Sequence, residues 1–552
     1  MKFRIKFLNI AWLALALSLA GCAKKLEEVY QNPNAPVKVP VETLLPGMIG
    51  SFVGSSSAAG SAYGLAGDGI IIGRYIQYWG ANAVSATPNA ATQYDRMGGA
   101  TAASDNLGSM WAAHYYGMGQ NLNRMVEWAA EEQKWDYVGV GYAMRAWSML
   151  TATNQYNNMV LRQAFNTSLQ TFNYEDQPEI YDSVRLTCFR ALDYLNMTGG
   201  NMSQQNLAIG DAYLNNGDID LWKKFVYGIL ARSYAYLSAK QSYNADSVIK
   251  YADLSSTTNA ENITAKFANT GVSGTMNYMG PIRGNVGALR QSKFVADLMS
   301  GLNTGAFTGV SDPRAIYMLR ENTNGTFKGV IPGQSATNSG IPAAADQPQN
   351  FWGNSFALAT SPAVDAARYI YRNEAEFPLM TATEMKFLKA EAALRKNDNA
   401  TALAAYADGI SLNFDMLTTK YAINIPAGKE ITPVNKAEYL ANPAVVPETP
   451  DQLTLTHIML QKYIALYGWG MQETWVDMRR YHYTDADPST GTQVYAGFEP
   501  PVSNLFENNN GKLVYRTRPR YNSEYLYNIP ALESIGALDI DYHTKMPWFA
   551  MP

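Results

Sequence analysis

Leu455, Met459, Tyr463 and Leu466 recur at steps of four, four and three, so they line one face of a helix. Gly468 and Gly470 flank Trp469 and predict a break there. Beyond it, Trp475 brings a large apolar body to a point where Asp477, Arg479 and Arg480 can form ion pairs. The same period predicts helices over 70–79, 105–128, 135–156, 178–196, 220–239 and 247–254. Small residues recur inside two of them, at Ala112, Ala113, Gly117 and Gly119 and at Gly139, Gly141, Ala143 and Ala146. Helices with such faces approach closely.

A further pair lies within 381–411. Ala390, Ala392, Ala393 and Leu394 end one helix, Lys396 to Asn399 turn, and Ala402, Leu403, Tyr406 and Ile410 start the next. Small and large residues at these offsets resemble a tetratricopeptide unit. Such units are scattered and degenerate here, which argues against a simple solenoid. Between the helical stretches, Gly, Pro, Asn and Ser are dense and the period fades.

At its C-terminal part the chain becomes recognisable. Gln461 to Leu466, the glycines, and Trp475-x-Asp477-x-Arg479-Arg480 resemble the signature of the SusD/RagB-type nutrient-binding lipoproteins. The relatives often carry Gly-Tyr-Pro after the arginine pair. Here Tyr481-His482-Tyr483 follows. Trp222-x-x-Phe225, Asp312-Pro313-Arg314, and Arg518-Pro519-Arg520-Tyr521 with Glu524 and Asn528 match other parts of that pattern, while in Leu230-Ala231-Arg232 the leucine-to-arginine spacing is one residue shorter than the relatives'. We read the last two as structural.

The resemblance implies a mainly α fold: a tetratricopeptide-like helical-pair scaffold carrying a large loop-rich insert. The helical scaffold is expected over about 42–256, 379–422 and 451–484, and the loop-rich part over about 257–378, 423–450 and 485–552. It further implies a cell-surface lipoprotein that binds an oligosaccharide, or in some members a peptide. Such a protein sits as a lid on a SusC-like TonB-dependent outer-membrane barrel.

The N-terminus supports an anchor. Lys2, Arg4 and Lys6 precede the apolar run 7–20, which ends Leu19-Ala20-Gly21-Cys22. This is signal-peptide length, too short to span a bilayer comfortably. Residues 1–21 are read as a signal peptide and Cys22 as the acylated residue, with several chains giving firm attachment. Residues 22–41, rich in Asn and Pro after Tyr30, form the tether.

Composition narrows the function classes. A net charge of −4 over 552 residues, without a long basic run, argues against nucleic acid. Four scattered histidines, at 114, 457, 482 and 543, give no metal-ligand spacing, and no cofactor motif is found. With Cys22 acylated, Cys188 has no disulfide partner and is expected to be buried. Among 47 acidic residues no local signature singles out a glycosidase pair. A surface glycoside hydrolase and a purely structural outer-membrane scaffold remain the alternatives to a binding protein.

Candidate ligand residues are loop aromatics beside amides. A ring offers a flat apolar face to a pyranose and an amide meets its hydroxyls. Trp79, Asn89 and Tyr94 are chosen from the segment around 81–99, Tyr278 and Arg283 from 277–285, and Trp352 and Asn354 from 347–354. Around Trp79 and Tyr94, and in the two later loops, capping of the helix bundle or a structural turn explains the residues equally well.

Overall fold

The computed structural model describes residues 38–54, 64–82, 93–99, 106–270, 272–362 and 364–552. The leader, Cys22, nearly all of the tether and Asn89 lie outside the described residues. The protein is mainly α. Its principal helices are α1 (Leu45–Val53), α2 (Leu65–Tyr75), α3 (Gln120–Glu131), α4 (Trp135–Tyr156), α5 (Gln177–Leu195), α6 (Ile219–Ala235) and α7 (Ala245–Leu254). They continue with α8 (Ala382–Arg395), α9 (Asn399–Lys420), α10 (Leu455–Ala465) and α11 (Met471–Arg480).

From α3 to α9 each of these helices packs on the next, and α7 packs on α8 across the long insert between them. The stack therefore runs through the insertion as if it were absent. Local chemistry starts the later helices. The side chains of Thr381, Asp398 and Thr454 accept from the backbone N–H groups of Glu384, Thr401 and His457, meeting donors that have no partner in the first turn. Small residues set the spacing: a Cβ on Gly139 would sit 2.6 Å from Leu195 Cγ of α5, and one on Gly141 2.6 Å from Val126 Cγ2 of α3. The break between α10 and α11 falls at Gly468, whose φ of 83° suits glycine.

Two small antiparallel sheets fasten the insert to the helices. Strand β1 (Trp79–Ala81) pairs with β3 (Leu289–Gln291), in register Trp79 with Gln291. Strand β2 (Ile263–Ala265) pairs with β4 (Phe377–Met380), which leads directly into α8. The first pairing corrects the helix expected over 70–79. Helix α2 ends at Tyr75, Gln77 takes φ 62°, and Trp79 is already extended. A partner segment far along the chain overrides the local period here. The helix expected over 105–128 is likewise divided, into Ser109–Ala112, a π-helical turn Ala113–Gly119, and α3.

Buried charge ties the helices together. Arg480 pairs with Glu391 of α8 at 2.7 Å and with Asp477 at 2.6 Å, and Lys462 of α10 reaches Asp477 at 2.8 Å. Arg232 of α6 lies between Glu384 at 2.7 Å and Glu473 at 2.9 Å. Arg479 departs from the expected acid cluster. It donates to the carbonyls of Asn154 and Tyr515, both at 2.7 Å, and stacks on Trp475 with its guanidinium 3.7 Å from the ring centroid. Asp312 and Arg314 do pair, at 2.6 Å, and Arg314 also donates to Asn413 of α9 and Gln461 of α10. Cys188 is buried, as expected.

Burial by itself would raise the Glu391 carboxyl, but Arg480, aided by Arg395 and Lys462, holds it well below the usual carboxylate range. Removing one member leaves the others charged and dry, so Glu391→Ala is expected to cost about 3–5 kcal/mol in denaturant unfolding at neutral pH. A carboxyl depressed in the folded state contributes fully above its unfolded value of 4.5 and loses that contribution as pH falls below it. The stability gap between wild type and Glu391→Gln should therefore close as pH is lowered from 4.5.

Candidate ligand-binding surface

Two loops of the insert and the end of β1 meet at one surface. Asn277 fixes the first loop: its amide donates to Ala375 O at 2.9 Å and its Oδ1 accepts from Met279 N at 2.9 Å. Pro281–Arg283 then form a single 3-10 turn that presents Ile282 and Arg283 outward. Asn350 shapes the second loop, its Oδ1 accepting from Trp352 N at 3.0 Å and Asn354 N at 2.9 Å. The two loops are joined where the Trp352 indole N–H donates to Met279 O at 2.8 Å and where the Ser361 hydroxyl donates to Pro281 O. Asn82, just after β1, donates to Phe356 O at 3.2 Å.

The sequence-chosen residues divide between this surface and the core beneath it. Trp79 is fully buried and its indole N–H donates to Ile70 O at 2.8 Å. Trp352 is 1% exposed, and Tyr94 is buried with its ring 6.0 Å from that of Tyr75. These three rings offer no open face for stacking, so the expectation that they are exposed is corrected. Bulky aromatics beside glycine and amides filled the space where the insert closes on the scaffold. Tyr278, Arg283 and Asn354 are half-buried and lie on the surface itself.

The Arg283 guanidinium lies 5.7 Å from the Tyr278 ring centroid, within cation–π range. Burial raises the Tyr278 phenol, Asp68 adds to the rise and Arg283 opposes it. Tyr278 is thus a neutral hydroxyl at physiological pH. Asn285 is exposed and donates to Tyr278 O at 3.0 Å, and the Asn354 amide donates to Thr360 O at 2.6 Å. Ile282, Leu358 and Val364 add exposed apolar groups. No periodic signal marks them, because they stand in aperiodic loops.

Such a surface can hold a neutral polar ligand by contact and hydrogen bonding. Among the described residues no group of three or more His, Cys, Asp or Glu could hold a metal ion. A wider cavity of about 610 Å³ lies between the α8–α9 turn and the segment after α11. Polar groups pair across it, Asn399 with Asp451 at 3.0 Å and His482 with Asp485 at 2.7 Å. Among the described residues no helix is long and apolar enough to cross a membrane.

A SusD-like family model, described as starch-binding associating with outer membrane, matches residues 65–499. The chain belongs to the SusD-like family. Solved structures agree on the fold. A SusD/RagB family protein from Bacteroides thetaiotaomicron matches with TM-score 0.66 at 18% identity, covering 93% of this chain and 99% of its own. A SusD homologue from Bacteroides fragilis gives 0.67 at 18%, covering 93% and 100%. A chitin-binding SusD homologue from Flavobacterium johnsoniae gives 0.62 at 17%, covering 92% and 98%. No curated protein matches the sequence.

In this SusD-like chain the arginines of the recognisable motifs hold the fold together. Arg480, Arg232 and Arg314 are all buried in ion pairs. The split between core and surface is measurable. Trp352→Ala empties a buried indole site and is expected to cost about 3–5 kcal/mol in denaturant unfolding. Tyr278→Ala and Arg283→Ala should each cost about 1 kcal/mol or less.

Proposed function

We propose that this protein is a lipid-anchored cell-surface receptor that captures a nutrient oligomer, an oligosaccharide above all, and delivers it to a SusC-like TonB-dependent outer-membrane transporter as its lid. Membership of a family described as starch-binding and associating with the outer membrane carries this reading. One structural neighbour is a chitin-binding SusD homologue, which favours a glycan over a peptide. Cys22 is the anchoring residue, its acyl chains inserting in outer-membrane lipid and the folded part facing outward.

The surface built by 277–285 and 350–362 is the ligand face in this reading. Tyr278 supplies a ring and a hydroxyl, and Arg283, Asn285 and Asn354 supply hydrogen bonds. No bond in the ligand is made or broken. Each contact contributes about 1 kcal/mol, so binding is modest and release into the barrel is easy. Ordered loops on a stiff helical stack keep these groups in place before the ligand arrives.

A glycan and peptide array probed with the lipid-free protein tests the ligand class, with saturable glycan binding expected and turnover of the glycan pointing instead to a hydrolase. In calorimetry on the best glycan, Tyr278→Ala and Arg283→Ala should each weaken binding about tenfold, or about 1.4 kcal/mol. Unchanged affinity in both would move the ligand off this surface. In cells, Cys22→Ser should abolish acyl labelling and membrane fractionation.

A further inference from the structure

A second pocket lies apart from the loop surface, between the π-helical turn Ala113–Gly119, the loop following α4, and the C-terminal helix Tyr521–Tyr527. Its volume is about 190 Å³, and its open walls are Tyr115, Tyr116, Phe165 and Phe172 over the buried Trp111, with Glu524 the one carboxylate in its lining among the described residues. Its volume is below the 300–1,000 Å³ of pockets that take drug-sized ligands, so it fits a single ring and not an oligomer.

Its walls are held rigidly. Trp111 and Tyr115 lie with ring centroids 4.8 Å apart, and the Tyr115 hydroxyl donates to Val160 O at 2.7 Å. Phe165 takes φ 66°, a left-handed conformation that a bulky side chain adopts at a cost. It is kept there under the Arg145 guanidinium, 4.6 Å from its ring centroid. The backbone of Tyr115 and Tyr116 winds as a π-helix, a rare irregularity that is frequent at functional sites. A left-handed residue and a π-helical turn thus border one small cavity.

The carboxylate is oriented too. Tyr174 donates its hydroxyl to Glu524 Oε2 at 2.5 Å and the Asn528 amide donates to the same oxygen at 3.0 Å. A carboxylate has about four acceptor positions. Tyr116 is 52% exposed at the rim, with the Arg520 guanidinium 5.6 Å from its ring centroid. Aromatic faces with an oriented acceptor match a pyranose, whose C–H face stacks and whose hydroxyls donate.

We propose that this pocket is a second subsite, for one neutral pyranose ring, separate from the loop surface. Glu524 selects against anionic sugars. The proposal rests on the reading of the protein as a glycan receptor, and its test separates the two.

The probes are methyl β-D-glucopyranoside, methyl β-D-glucopyranosiduronate and indole, titrated against the lipid-free protein by saturation-transfer NMR. The neutral glycoside should bind saturably, and the uronate at least five-fold more weakly. Tyr116→Ala, at an exposed position, should weaken the neutral glycoside at least five-fold, while Tyr278→Ala on the loop surface leaves it unchanged. Glu524→Gln, checked for folding by its melting curve, should narrow the ratio of neutral to uronate affinity. Neutral-glycoside binding unmoved by Tyr116→Ala overturns the subsite, as does the absence of saturation. Indole binding that depends on Tyr116 without glycoside binding makes it an apolar side-chain pocket and overturns it too. Oligosaccharide binding that persists while the pocket fails leaves the receptor reading standing, and loss of all glycan binding sinks both.

Discussion

Charge enclosed among helices is the constraint on which this structure depends. Arg480, Glu391, Asp477 and Lys462 form one cluster and Arg232, Glu384 and Glu473 another. Each group would be costly in a dry interior alone. They become tolerable only when α6, α8, α10 and α11 stand in one relative position. An error in the stacking of any of these helices would leave a charge without its partner. Apolar packing tolerates many arrangements of similar volume, whereas these clusters tolerate few.

That constraint explains how a long insert can be carried. The polypeptide leaves the stack after α7 and rejoins it at α8, and the two helices pack directly on each other. Strand β4 returns the chain into α8, and Arg314 reaches from the insert to α9 and α10. The insert is thus fastened by hydrogen bonds and ion pairs at its base. Its outer loops have no part in the clusters and are ordered by their own amides, Asn277 and Asn350 above all. A surface of that kind can change its side chains without disturbing the scaffold.

The pattern of apolar positions made most of the helical stack legible. The period over 135–156 coincides with α4, and the glycines around Trp469 mark the break before α11. The motif residues could be recognised because buried ion pairs demand particular side chains at particular places. Asp312 with Arg314 and Asp477 with Arg480 were foreseeable as pairs, since each lies within a turn of its partner. Arg479 was not, because its acceptors are the carbonyls of Asn154 and Tyr515, distant in the chain.

The loops were less legible. Trp79 and Trp352 stand beside glycine and amides just as Tyr278 does, yet the first two are core and the third is at the surface. A one-dimensional reading sees an aromatic in an aperiodic segment and cannot tell which neighbour will cover it. By itself the chain determined the class of fold, the helix-pair scaffold and the family, because those follow from local period and from side chains that burial restricts. Which aromatics reach the surface, where β1 finds β3, and that Phe165 and Tyr116 share a pocket with Glu524 were decided only by tertiary structure, because each depends on segments that are remote along the chain and adjacent in space.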